Sequence, residues 1–140
     1  MQTLNPDHIL DRAPEDLAAT LKSETGSAEV DVVVDIVGGD TFPAVIDVIA
    51  RGGRYACSGA IAGPIVDFDL RTFYLRDLSF YGCTVTDTHT FADLVSYIEK
   101  GEIKPILAAT YPLTELRDAQ QAFIDKKHTG NIVVTLDGVS

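Results

Sequence analysis

The sequence predicts an α/β protein built on a parallel sheet. Three observations carry this. Short apolar, β-branched runs alternate with amphipathic stretches, the order expected of strand–helix–strand units joined by right-handed crossovers. The clearest run, residues 30–37, is almost continuously Val and Ile, as in strands covered on both faces. Small residues then follow three successive strands, at Gly38-Gly39, at Ser58-Gly59-Ala60 and at Gly82-Cys83-Thr84. In parallel α/β sheets ligands sit beyond the carboxyl ends of the strands, and small residues there let a ligand approach the backbone.

Residues 8–10 read as a short first strand. Pro14, Glu15 and Asp16 open a helix, since Pro suits the first turn and acids suit the positive end of the dipole. Leu17, Ala18 and Leu21 share one face, and Gly26 stops the run. After the strand at 30–37, Thr41 and Pro43 start a helix with Phe42, Val45, Ile46 and Ile49 on its core face, ended by Gly52-Gly53. Residues 54–58 form the next strand, residues 59–64 a loop of small residues, and residues 78–85 a further strand. Thr90 caps a third helix, with Asp93 completing a capping box and Phe91, Leu94, Val95 and Ile98 on one side. Thr114 caps a last helix through Ala119, Ala122 and Phe123, and residues 131–136 close the chain as a strand. Repeats, low-complexity tracts and linkers are absent from the sequence.

Composition narrows the function. A chain of 140 residues, 46% hydrophobic and 23% charged, suits one globular domain with its own core. The net charge of −10, with only 11 Lys and Arg, argues against nucleic acid and against an anionic membrane surface, both of which need clustered cations. No apolar run approaches the ~18 residues of a membrane span. Residues 1–7 have neither the basic start nor the apolar core of a signal peptide, so a cytoplasmic protein is expected. Cys57 and Cys83 lack metal-ligand spacing and read as two buried, reduced thiols. His8 and His89 have no partner at ligand spacing. Asp35 is placed to bond a turn amide. No metal site is expected.

The order of motifs resembles a known family. Residues 30–39, VDVVVDIVGG, resemble the VDVVxDxxGG segment of the medium-chain dehydrogenases/reductases, the superfamily of zinc-type alcohol dehydrogenases and quinone oxidoreductases. Residues 51–60 are similar to its GGRxxxxG strand, and residues 77–82 to the strand that follows. Gly101 to Pro105, Tyr111-Pro112-Leu113, residues 119–123 and residues 130–134 match its C-terminal signature, although Asn131 stands where the family often has Lys.

The resemblance implies a partial Rossmann fold, a doubly wound parallel sheet without the glycine-rich first strand and helix, plus C-terminal strands of the GroES-like domain. Residues 1–107 would be the C-terminal part of an NAD(P)-binding domain, and residues 108–140 the helix and strand that join the catalytic domain. Residues 5–12 resemble the third Rossmann strand, which leaves the edge of the strand at 30–37 to be covered either by that first strand or by another chain. The implied cofactor is NAD or NADP. Ile36 and Val37 would pack near its adenosine half, and Ser58, Gly59 and Ala60 would line the nicotinamide side. Cys83, Thr84 and Val85 would offer backbone groups to the carboxamide, and His128, Thr129 and Gly130 would approach from the last loop. The bland readings stand beside these: Ile36 and Val37 as strand core, Cys83 as an apolar side chain, His128 as a cation at a helix C-terminus. The family places zinc ligands and most catalytic groups upstream, so catalytic residues are not assigned and this chain is not expected to bind zinc. A homodimer through the strand at 78–84 is implied. The activity implied is hydride transfer of the alcohol dehydrogenase or quinone and enal reductase type, absent from the isolated chain. A non-catalytic oligomerisation or binding module derived from such an enzyme is the alternative.

Overall fold

The computed structural model describes residues 6–11 and 14–136. The described residues divide into two compact units, one lying within residues 6–86 and the other within residues 87–136.

In the first unit, helix α1 (Leu17–Thr25) begins later than Pro14, because Asp16 is the residue whose carboxylate accepts the Ala19 amide at 2.9 Å. Gly26 ends it in the left-handed conformation, its N–H returning to the Lys22 carbonyl. Residues 8–10 form no strand, which corrects the sequence reading, and the ends of the resembling segment, Asn5 and Arg12, lie outside the described residues.

Strand β1 (Val30–Asp35), helix α2 (Phe42–Asp47), strand β2 (Ile49–Cys57), helix α3 (Leu70–Leu75) and strand β3 (Ser79–Gly82) follow. The sheet is parallel with order β1-β2-β3. α2 stops at Asp47, so Ile49 is the first residue of β2 and Gly52-Gly53 lie inside that strand rather than ending the helix. The extra residues there are accommodated as a bulge, with register shifting between Val30 and Val32 of β1, and Gly52 has φ +75. Arg76 secures this end of the sheet by donating to the carbonyls of Asp47 and Ile49 and to Glu29.

The core lies on one face of this sheet. Phe42, Ile46, Ile49, Tyr55 and Leu78 are buried together, with Val33, Phe68, Phe73 and Phe80 packed against them. Phe42 meets Tyr55 edge-on at 5.5 Å, and Tyr55 lies 5.0 Å from Phe80. The opposite face carries Val32, Val34 and Tyr81, all exposed, Val34 at 73%. Within this unit, therefore, the continuous apolar run of β1 is covered on one side only, and β1 is an edge strand.

The second unit holds helix α4 (Thr88–Glu99), strand β4 (Leu107–Pro112), helix α5 (Leu116–Asp125) and strand β5 (Asn131–Thr135), with β4 and β5 parallel. α4 starts before Thr90, whose N–H bonds the Asp87 carbonyl, so the expected Thr90–Asp93 capping box does not form. Its stripe of Phe91, Leu94, Val95 and Ile98 is solvent-exposed. Thr114 sits inside a 3-10 turn, Leu113–Glu115, and does not cap α5.

Candidate functional site

The three small-residue segments at the strand ends come together in the first unit. β1 leads into Ile36, Val37, Gly38 and Gly39, and β2 into Ser58, Gly59 and Ala60. The two loops are laced by backbone bonds: Ser58 N donates to the Asp35 carbonyl at 3.0 Å, Ile61 N to Ile36 at 3.2 Å, Ala62 N to Val37 at 2.8 Å, and Gly39 N to Gly63 at 3.1 Å. Gly59 is in close approach, since a Cβ there would lie 3.1 Å from the Ile36 carbonyl oxygen. The third segment joins through Cys83 N, which donates to the Cys57 carbonyl at 2.8 Å, and Thr84 and Val85 run on from it.

Ile36 and Val37 are not strand core. They lie past the end of β1 and are 52% and 40% exposed. Ser58, Ala60, Cys83, Thr84 and Val85 are also exposed. The two thiols are free, but the reading of both as buried is corrected: Cys57 is half-buried and Cys83 is exposed, because Gly82 ends β3 and the chain leaves the sheet.

Asp35 organises this end of the sheet. Only 9% exposed, its carboxylate accepts the Val37 amide at 2.6 Å, the Gly38 amide at 3.2 Å and the Tyr55 hydroxyl at 2.7 Å. The turn-amide reading of Asp35 holds. Tyr55 is a partner that sequence reasoning missed. Its signal needs the β1–β2 register: Val33 pairs with Tyr55 and Asp35 with Cys57, which puts residues 35 and 55 on one face.

Burial raises the pKa of Asp35, but the bonds from Tyr55 and from the two amides outweigh it and hold the carboxyl below its ordinary value of 3.8. Burial, then the bond and charge of Asp35, push the Tyr55 phenol well above 10. A depressed carboxyl contributes stability above the unfolded-state value and loses it as pH falls through the folded one; a raised phenol contributes below its unfolded value and loses it as pH rises. Resistance to urea unfolding is thus expected to weaken below pH 3.8 and again above pH 10. Asp35→Asn is expected to remove the contribution of this carboxyl to the acid limb. An unchanged limb in that variant would count against the assignment.

His128, Thr129 and Gly130 belong to the second unit, after α5 ends in Lys126 with φ +52. The His128 ring lies 6.2 Å from Phe123, and Gly130, at φ +102, is pressed on Ile106. An apolar groove of about 500 Å³ between α5 and β5 is lined by Leu116, Phe123, Ile124, Ile132 and Val134 and carries no polar constellation. Among the described residues no three His, Cys, Asp or Glu side chains are placed to hold a metal ion. Among them, too, no helix is long and apolar enough to cross a membrane.

The first unit is thus an α/β arrangement whose parallel strands finish in interlocked small-residue loops at their carboxyl ends, the side on which open α/β sheets take ligands. The chain belongs to the zinc-binding dehydrogenase family, matching it over residues 4–134. It is 30% identical over 133 residues to D-arabitol-phosphate dehydrogenase of Enterococcus avium, covering 91% of this chain and 36% of that protein. It is 27% identical over 120 residues to quinone oxidoreductase-like protein 2 of Bos taurus, covering 79% and 34%. A crystal structure from Sinorhizobium meliloti, assigned as an alcohol dehydrogenase, superposes with a TM-score of 0.80 at 40% identity, covering 89% of this chain and 34% of that one. The chain thus spans about a third of the length of these relatives. The medium-chain dehydrogenase/reductase resemblance read from the sequence and the α/β fold class both hold.

Proposed function

We propose that this chain is the cofactor-side C-terminal portion of an NAD(P)-dependent oxidoreductase. The observation that carries this is the convergence of three small-residue strand ends at the carboxyl edge of one parallel sheet. Solved relatives include an NAD-dependent alcohol dehydrogenase at 26% identity and a crotonyl-CoA carboxylase/reductase in complex with NADP at 25%, which supports a nicotinamide dinucleotide as the ligand. When bound, that cofactor supplies hydride transfer to or from a carbonyl or activated alkene.

The chain's own residues position it. Ile36 and Val37 offer an apolar wall to the adenosine half. Ser58, Gly59 and Ala60 line the nicotinamide side, Cys83, Thr84 and Val85 present backbone groups to the carboxamide, and His128, Thr129 and Gly130 are carried by the family resemblance alone as the loop that would approach the cofactor. In this reading residues 1–107 are the cofactor-binding part and residues 108–140 join the catalytic domain, in a cytoplasmic enzyme.

These 140 residues contain no glycine-rich pyrophosphate turn, and anion binding at such a turn is a main source of dinucleotide affinity. The isolated chain therefore binds cofactor weakly and does not turn over. Titration with NADH or NADPH into the millimolar range is expected to shift amide resonances of residues 36–37, 58–60 and 83–85 without saturating. Shifts confined to residues outside these and outside 128–130, or none, would overturn the cofactor reading. Oxidation of NADPH by the pure chain with a quinone or enal would overturn its inactivity.

β3 is an edge strand with Tyr81 and Gly82 exposed. We place a homodimer contact along residues 78–84, joining two sheets edge to edge. Sedimentation equilibrium is expected to return twice the chain mass, and a clean monomer would remove the contact.

A further inference from the structure

We propose that Asp35 and Tyr55 are a positioning pair that locks the loop leaving β1 onto the loop leaving β2, so that residues 36–39 and 58–63 meet a ligand as one preformed surface. Asp35 carries the one buried charge among the described residues, and its two oxygens are committed to Val37 N, Gly38 N and Tyr55 Oη. Those bonds fix the direction in which the chain leaves β1. With that direction fixed, the carbonyls of Ile36 and Val37 point at the amides of Ile61 and Ala62. Tyr55 anchors the carboxylate to the core, because its ring is held between Phe42 and Phe80 while its hydroxyl reaches Asp35. The order of causation runs from core ring to carboxylate to turn to second loop.

Neither side chain faces the exposed side of the loops, so neither is assigned to a reacting atom. That the surface meets a dinucleotide rests on the function proposed above; the lock itself does not.

Amide hydrogen exchange on the full chain without ligand tests it. Tyr55→Phe keeps the ring packing and removes one hydroxyl. It is expected to speed exchange at Val37, Gly38, Ile61 and Ala62 about tenfold together, leaving the sheet-ladder amides of residues 33 and 55 unchanged. Asp35→Asn is expected to give the same pattern more strongly. A variant that speeds all amides of residues 30–82 equally shows a general structural role, and unchanged loop amides show no lock; either overturns the proposal. Adding NADPH to the wild-type sample separates the two ideas: if it produces no shift while the exchange pattern holds, the cofactor reading fails and the lock stands.

Discussion

Replacing Ile49 by Ala is expected to destabilise the sheet unit by ~3 kcal/mol, because deleting three buried carbons loses their transfer free energy and leaves a cavity. Ile49 is 0% exposed and sits at the centre of the cluster of Phe42, Ile46, Tyr55 and Leu78. Its surroundings cannot easily collapse onto a smaller residue. On one side is Gly53, whose backbone already approaches so closely that a Cβ there would collide with Ile49 Cγ2. The cluster it belongs to is backed in turn by Phe68, Phe73 and Phe80, with Phe68 and Phe80 stacked at 5.1 Å. Against a net stability of 5–15 kcal/mol typical of such domains, a loss of ~3 kcal/mol is a visible fall in the urea midpoint. Ile49→Val is expected to lose about 1 kcal/mol and gives the graded control. A loss below that figure in Ile49→Ala would mean that this cluster is not the core.

That residue also marks where periodicity misleads. Positions 42, 45, 46 and 49 have ideal helical spacing, so the sequence places Ile49 on the helix. The chain instead ends α2 at Asp47, and Ile49 reaches the same cluster from the start of β2. The burial pattern was legible; the element was not, because a short helix and a strand can present one side chain to the same core. The strand glycines misled for a related reason. Gly52-Gly53 reads as a stop, but a bulge uses the same freedom without leaving the strand. α3 went unread because it is only six residues long and buries nothing fully, so it leaves no helical apolar stripe.

The convergence of strand ends was more legible than the elements around it. Small residues after apolar runs mark strand ends regardless of where the helices fall, and all three marked ends in the first unit meet. Tyr55 was hidden because its partnership with Asp35 exists only in the register of β1 against β2. The exposure of Cys83 was hidden because β3 ends at Gly82, short of the apolar run that continues in sequence. His128, Thr129 and Gly130 entered by resemblance alone, and their local geometry is that of a turn pressed on Ile106.

Gly38→Ala is expected to part the two site loops at a cost of ~3 kcal/mol, combining backbone strain with displacement of a backbone neighbour. Gly38 has φ +60 and ψ −144, a conformation that residues with a Cβ avoid. A Cβ would also lie 2.9 Å from the Gly63 carbonyl oxygen and 3.5 Å from the Ala60 Cα. These are backbone atoms, so relief requires the 58–63 loop to retreat, which breaks the bond from Gly39 N to Gly63 O. Gly26 supplies the comparison. It too has positive φ, at +83, but a Cβ there meets nothing within 4 Å. Gly26→Ala therefore carries the conformational cost alone, about 1 kcal/mol. The difference between the two variants in urea unfolding isolates the contact between the loops. If Gly38→Ala proves no worse than Gly26→Ala, the loops are not pressed together at Gly63, and the preformed surface they make at the sheet end loses its basis. If it is worse and also abolishes the NADPH-induced shifts at residues 58–60, stability and ligand contact trace to the same backbone crossing.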